Sequence, residues 1–209
     1  MRLDWAKAHQ NLANDELDSW TFSDEAPFEL LCSSYRQRIW ATPETMCKPN
    51  LVCPKAQGGF GKIMIWGVIS VHGPGPLLFI EGGMNGESYK SIVRETIIPY
   101  LSQLADDFGR SFGFVADNAP CHNAKIVREE FAKSGANRIN WPASSPDLNP
   151  IENIWGLMKM GLAKLTVKPR NMGELKGKIL EIWKGLTPEY CKSIIYSMPQ
   201  RCKEVVKAK

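Results

Sequence analysis

The hydrophobic period of this chain changes at Asn85, and that change limits the folds open to it. Before Asn85 the apolar residues come in short runs bounded by Gly and Pro: Ser19–Ser23, Phe28–Cys32, Lys62–Ser70 and Leu77–Ile80. Short runs rich in β-branched and aromatic residues read as strands. Phe28–Cys32, following Pro27, is expected to lie antiparallel beside Ser19–Ser23, and residues 3–17 to form a helix leading in. Beyond Asn85, Tyr89, Ile92, Val93, Thr96, Ile97, Tyr100 and Leu104 fall on one helical face, with Pro99 placed to kink or interrupt it. Phe112–Ala116 then reads as a buried strand, Asn123–Ser134 as a helix and Arg138–Trp141 as a short strand. Pro150 opens another helix, residues 172–186 form an amphipathic one, and Thr187-Pro188 caps the last. Strands joined by turns, followed by alternating strands and helices, describe a mixed α/β sheet with helices packed on it.

A chain of 209 residues, 44% hydrophobic and 10% aromatic, is long enough for one well-buried domain. No apolar run approaches the length of a membrane span, and the first residues lack a signal-peptide core. Six cysteines at 32, 47, 53, 121, 191 and 202 show no paired short spacing, and Cys47-x5-Cys53 is a poor zinc motif. Reduced cysteines are therefore expected. Residues 153–209 hold 12 Lys and Arg against four Asp and Glu, a net +8, whereas residues 1–152 carry a net −4. A basic segment beside an acidic body fits a phosphate-backbone contact surface, although for charge alone solvated faces of amphipathic helices are the better account.

Three acids stand where predicted elements begin or end. Asp24 closes the first predicted strand, Asp117 follows the buried strand at 112–116, and Glu152 lies just inside the helix opened by Pro150. Thirty-four residues separate Asp117 from Glu152. Two-metal phosphoryl transfer needs anionic oxygens around two ions about 3.5–4 Å apart. Neighbouring strands lie about 4.8 Å apart, so aspartates on adjacent strands are able to share an ion. Mg²⁺ prefers such hard oxygen donors. Each acid also has a plainer explanation. Asp24 and Asp117 both precede turn-forming residues. With Asn149 as N-cap and Pro150 at the first helical position, Glu152 falls at the capping-box position.

The contexts of these acids resemble the catalytic domain of a mariner-superfamily transposase, in the Tc-type branch whose third acid is glutamate. The matching segments are Phe22-Ser23-Asp24-Glu25, Ile65-Trp66-Gly67, Phe114 through His122, and Trp141-Pro142 through Trp155. Ser145–Trp155 is the most specific of these, and similarity runs from about Arg2 to the mid-160s. The resemblance implies an RNase H-like fold: a mixed five-stranded sheet flanked by helices, with an irregular insertion and C-terminal helices. It implies a catalytic core over 1–165 and a helical extension of the same domain over 166–209.

The activity implied is metal-dependent cleavage of DNA at transposon ends and transfer of the freed 3′-hydroxyl into a target, typically a TA dinucleotide. Asp24, Asp117 and Glu152 would be the catalytic metal ligands, holding two Mg²⁺ ions or Mn²⁺ in their place. Asn118, His122 and Asp147 would support them, although the Ser-Pro-Asp turn explains Asp147 and a helix cap would explain His122. By analogy, residues 36–61 form an insertion used for DNA or subunit contacts. Arg36, Arg38, Lys48, Lys55 and Lys62, together with Lys159, are suited to phosphates. Gly58, Gly59 and Gly61 are not a P-loop, because no Gly-Lys-Ser/Thr follows.

The implied partners are double-stranded DNA, both transposon ends and target, and a second copy of the chain when assembled on DNA, with no membrane. The implied compartment is the nucleus in a eukaryote and the cytoplasm in a bacterium. Family members usually carry helix-turn-helix modules ahead of this domain, and Met1 lies close to the first catalytic strand, so those modules are expected to be missing. Two other readings stay open: a domesticated DNA-binding protein that keeps the fold without catalysis, and a nuclease acting on RNA–DNA hybrids.

Overall fold

The Trp20–Glu29 segment alternates apolar and polar residues about Asp24, and it forms one ten-residue strand, β1. This corrects the expectation of two antiparallel neighbours. Phe28 and Glu29 of the second predicted run belong to the same strand as Trp20–Ser23, residues 31 and 32 lie outside the described residues, and Asp24 lies within the strand rather than at its end. Pro27 is accommodated because only Trp20–Phe22 of β1 have a partner on the β4 side, so the strand is an edge where Pro27 stands. The computed structural model describes residues 2–30 and 61–208. The predicted insertion at 36–61 therefore falls, apart from Gly61, outside the described residues.

Two further strands complete an antiparallel meander: β2 (Lys62–Ser70) beside β1, and β3 (Gly73–Ile80) beside β2. β3 begins four residues before the predicted Leu77. Its Gly-Pro-Gly-Pro opening reads as a turn, but Pro74 and Pro76 are tolerated on an edge strand, where no outer ladder needs their missing N–H groups. On the other side of β1, β4 (Gly113–Val115) and β5 (Asn137–Arg138) add in parallel. Among the described residues the sheet order is β3-β2-β1-β4-β5.

The helices cover both faces. The predicted helix over 3–17 is two pieces, α1 (Arg2–His9) and α2 (Asn14–Leu17). His9 Nδ1 donates to the Trp5 carbonyl at 2.7 Å, so the side chain competes for an acceptor of the last turn of α1. After β3 come α3 (Gly86–Ile92), a π-helical stretch Val93–Ile97, and α4 (Ile98–Phe108). Pro99 stands in the first turn of α4, just past the π stretch, so the local widening absorbs the residue that lacks an N–H. The remaining helices are α5 (Lys125–Ser134), α6 (Ile151–Lys164), α7 (Met172–Lys184), α8 (Pro188–Ile195) and α9 (Met198–Lys207). Among the described residues no helix is long and apolar enough to cross a membrane.

Strand periodicity decides which side chains meet which layer. Ile63, Ile65 and Ile69 of β2, with Phe22, Ala26 and Phe28 of β1, pack with Ile154, Trp155 and Met158 of α6 and with residues of α7, α8 and α9. The alternate residues Trp66 and Val68, with Phe114 of β4, pack on the opposite face with Tyr89, Val93, Ile97, Val127 and Phe131. Asp24, between Phe22 and Ala26 in the alternation, therefore projects to the α6 side. Glu25 projects to the other.

Candidate active site

The α6 layer approaches β1 closely because Gly67 leaves it room. Gly67 is the register partner of Asp24 across the β1–β2 ladder. A methyl group at Gly67 would fall 2.9 Å from the Trp155 ring and 3.0 Å from Trp183. The two indoles are stacked with centroids 5.6 Å apart. Trp155 lies one turn beyond Glu152 on α6, so the contact at Gly67 fixes the height at which Glu152 stands over the sheet.

A cleft of ≈ 370 Å³ opens at this place, and Asp24, Asp117 and Glu152 all line it, together with Asn118, Trp141 and Asn149. The fold thus brings the three acids to the wall of one cleft. Asp24 and Glu152 face each other's charge within this cleft. Burial, opposed by a backbone hydrogen bond and reinforced by the charges of Glu152 and Glu25 and by a hydrogen bond with Glu152, pushes the Asp24 carboxyl up to about 8. Two carboxyl groups sharing one site resist simultaneous ionisation.

Glu152 is not a capping-box residue. The helix begins at Ile151, Pro150 occupies the N-cap position without a side-chain bond, and Glu152 is one position short of the one a capping box needs. Asn149 is also diverted from capping. Its Nδ2 donates to the Ser23 carbonyl at 3.1 Å, while its own carbonyl accepts the Glu152 N–H at 3.2 Å. This nearly fully buried side chain links the residue before Asp24 to the backbone of Glu152.

Asp117 is held differently. Its Oδ1 accepts from the Ala119 N–H at 2.9 Å and from His122 Nδ1 at 2.6 Å. The His122 bond, working against burial and aided by the Ala119 N–H, lowers the Asp117 carboxyl below the usual range and keeps it ionised. His122 is 2% exposed, with Nε2 3.3 Å from Glu25 Oε1. That approach is an ion-pair distance without hydrogen-bond alignment, since both atoms lack an aligned partner. Burial works against the imidazolium, but the Asp117 bond and the nearby Glu25 carboxylate outweigh it and raise His122 to about 10. The Tyr89 ring covers the imidazole at 4.0 Å. His122 is therefore a bridge between two carboxylates and not a helix cap, α5 beginning at Lys125 with Ala124 at its N-cap.

The other predicted positions divide. Asn118 lines the cleft, and its Nδ2 donates to the Trp141 carbonyl at 2.7 Å, fastening the loop that forms the far wall. Asp147 is more than a turn residue, because Arg2 donates to both its carboxylate oxygens, at 2.8 and 2.5 Å. Lys62 and Lys159 lie away from the cleft. Lys62 pairs with Glu29 at the far end of β1, and Lys159 Nζ sits 5.6 Å from the centre of the neighbouring Phe28 ring. Arg36, Arg38, Lys48 and Lys55 lie outside the described residues. Sequence reasoning missed Glu25, Asn149 and Arg2. Glu25 had a usable signal, an acid at a buried-face position of an alternating strand; Arg2 had none, because its partner is 145 residues away.

As placed, no three His, Cys, Asp or Glu side chains among the described residues form a ready-made metal cluster. The donor set is nevertheless all carboxylate oxygen, the chemistry that hard divalent cations select. Asp24 and Glu152 already crowd together in a way a cation would relieve. Both hydrogen bonds to Asp117 fall on Oδ1, so Oδ2 is its open donor.

Residues 19–176 match the family described as DDE superfamily endonuclease. The chain belongs to that family. It is 32% identical over 208 residues to the Tcb1 transposase of Caenorhabditis briggsae, and 31% identical over 207 residues to the Tc1 transposase of Caenorhabditis elegans. These alignments cover 100% and 99% of this chain and 74% of each relative. The transposase domain also superposes on the Mos1 mariner paired-end complex solved with Mn, with a TM-score of 0.80 at 18% identity over 99% of this chain and 61% of that one. Against the Mos1 catalytic domain the TM-score is 0.73 at 16% identity, over 99% of this chain and 91% of that one. The sheet and its flanking helices are thus those of the RNase H-like transposase fold, and the chain is a DDE transposase catalytic domain of the Tc1/mariner type.

Proposed function

We propose that this transposase domain cuts DNA at transposon ends and joins the freed 3′-hydroxyl to a target strand, with Asp24, Asp117 and Glu152 as ligands for two divalent ions. The placement of Asp24, Asp117 and Glu152 on the wall of one cleft is the observation that carries this reading. When bound, Mg²⁺ or Mn²⁺ supplies activation of the attacking oxygen and stabilisation of the leaving one.

The chain's own part is to place and charge the oxygens. Asp24 is buried in the cleft that Glu152 also lines, and a cation bound there would favour its ionised form. Asp117 is kept anionic by His122, which Glu25 and Tyr89 hold from the opposite layer. Asn149 sets the spacing between the backbones of Asp24 and Glu152, and Asn118 fixes the Trp141 wall.

The similar solved structures named as paired-end complexes, one with a left transposon end, support DNA as substrate, and we assign double-stranded DNA and a homodimer assembled on it. The nematode relatives support work on nuclear DNA, hence a nuclear location in a eukaryote. Lys62 and Lys159, with Arg36, Arg38, Lys48 and Lys55, remain our assignment for phosphate contacts. We divide the chain into a catalytic core over 1–165 and a helical extension over 166–209. The test is cleavage of an end-labelled duplex carrying a transposon end, with Mg²⁺ or Mn²⁺. Asp117→Asn should reduce the rate at least about a hundredfold, in keeping with loss of a charge-stabilising group, and an unchanged rate would overturn the proposal.

A further inference from the structure

The last helix of the chain reaches back to the first turn of α6, where Glu152 stands. Arg201, on α9, uses all three of its guanidinium nitrogens. Nη1 donates to the Asp147 carbonyl at 2.9 Å, Nη2 to Asn153 Oδ1 at 2.6 Å, and Nε to Ser197 Oγ at 2.8 Å. Asp147 lies in the 3-10 turn Pro146–Leu148 that delivers the chain into α6, and Asn153 directly follows Glu152. One rigid, planar group therefore spans the segment that contains Glu152 and fastens it on both sides.

A guanidinium suits this task because its donors are fixed in one plane, whereas the three donors of a lysine ammonium radiate from one nitrogen on a flexible stem and cannot span separated acceptors. Hydrogen bonds to Arg are charge-assisted and short, so they resist displacement of the turn. The Ser197 bond anchors the guanidinium to its own helix, and α9 is itself held by the fully buried Met198 and Cys202. Arg2 grips the carboxylate of the same Asp147 from α1. Both ends of the chain thus close on the loop before the third acid.

We propose that Arg201 is a positioning residue that sets Glu152 for metal binding, acting through Asp147 and Asn153. The proposal rests on the reading of Glu152 as a metal ligand. Groups that orient metal ligands from behind typically change metal affinity by about 10–100-fold.

The test is Mn²⁺ binding to the whole chain, measured by calorimetric titration without DNA, alongside the thermal midpoint of each variant without metal. Arg201→Gln should weaken Mn²⁺ about tenfold, Arg201→Lys should recover part of the loss, and Asn153→Ala, at an exposed position, should weaken binding without unfolding the chain. Cys202→Ala tests a merely structural role, since it loosens α9 while leaving the three hydrogen bonds in place; it should lower the thermal midpoint and leave Mn²⁺ affinity within about twofold. Equal weakening by Cys202→Ala and Arg201→Gln, or no weakening by Asn153→Ala, would overturn the proposal. Glu152→Gln separates the two levels: unchanged Mn²⁺ affinity there removes the ligand reading itself, while its loss with Arg201→Gln unaffected removes only the role of Arg201.

Discussion

Gly67 and Asp24 face each other across the β1–β2 ladder, and the side chain missing from the first allows α6 to bring Glu152 to the second. The Trp155 and Trp183 rings fill the space above Gly67, where a methyl group would come within 2.9 Å of one and 3.0 Å of the other. Gly67→Ala should therefore lower stability by about 1–3 kcal/mol, the usual range for overpacking a filled core. Because the strain must be relieved by lifting α6, DNA cleavage should fall by more than the folded fraction does. Urea unfolding and a cleavage assay on the same preparation check both parts. Retention of full activity in a destabilised Gly67→Ala protein would sever α6 placement from the chemistry.

Asp24 gives a pH-dependent prediction with a definite sign. Its folded-state carboxyl is raised to about 8, against about 3.9 in an unfolded chain. Below about 4 both states are protonated, and the group contributes nothing to stability. Between about 4 and 8 the unfolded state gives up its proton while the folded state keeps it, so a destabilising contribution grows with pH and then levels off. In chelator-treated protein, Asp24→Asn should raise the thermal midpoint at pH 8 and change it little at pH 4; with Mg²⁺ restored, it should abolish cleavage. Addition of Mg²⁺ should stabilise the wild-type protein at pH 8 more than Asp24→Asn, because a ligand that binds only the folded state shifts unfolding in its favour.

The Arg2–Asp147 pair behaves in the opposite sense. Hydrogen bonding from Arg2 holds the Asp147 carboxyl below its ordinary value. Its stabilisation is present above about pH 4, where the unfolded carboxyl is ionised, and is lost as pH falls through the lowered folded value. The Asp147 side chain is 59% exposed, so the effect is screened and worth at most about 1 kcal/mol. Comparing Asp147→Asn with wild type by urea unfolding should show a small difference at pH 7 that shrinks steadily below pH 4. A difference that grew on acidification would contradict the assignment.

Asn149 should be intolerant of truncation. Asn149→Ala removes the donor to the Ser23 carbonyl inside a buried region, which costs about 1–3 kcal/mol when an acceptor loses its partner. The Glu152 N–H keeps its bond to the residue 149 carbonyl, so the helix should survive and circular dichroism at low temperature should be unchanged. Metal affinity should fall, since nothing then ties Ser23 to the start of α6. Unaltered affinity would show that packing at Trp155 alone sets the distance.

Local pattern reached much of this fold and stopped where distant partners took over. Lys62–Ser70 is a strand in both sequence and structure because its apolar run is unbroken and both faces are buried. Trp20–Glu29 reads as two strands because Asp24, Glu25 and Pro27 part its apolar residues, and adjacent acids inside a strand are the local exception that a site-lining position explains. The three acids could be named from their motif contexts. Their support could not: Asn149 looks like a helix cap until Ser23 is found beside it, and His122 looks like one until Glu25 is seen below it. Arg201 carries no local signal, because both residues it fastens lie about fifty positions earlier.

The placement of two adjacent acids on β1 also bears on folding fidelity. A slip of one residue along the ladder would turn Glu25 into the cleft and Asp24 toward His122, leaving a carboxylate on each side and a superficially intact site. What forbids the exchange is the wider strand, since the same slip would carry Phe22, Ala26 and Phe28 away from α6 and bring Thr21 and Ser23 against it. The choice of which acid lines the cleft is thus made by three apolar neighbours that do not line it themselves.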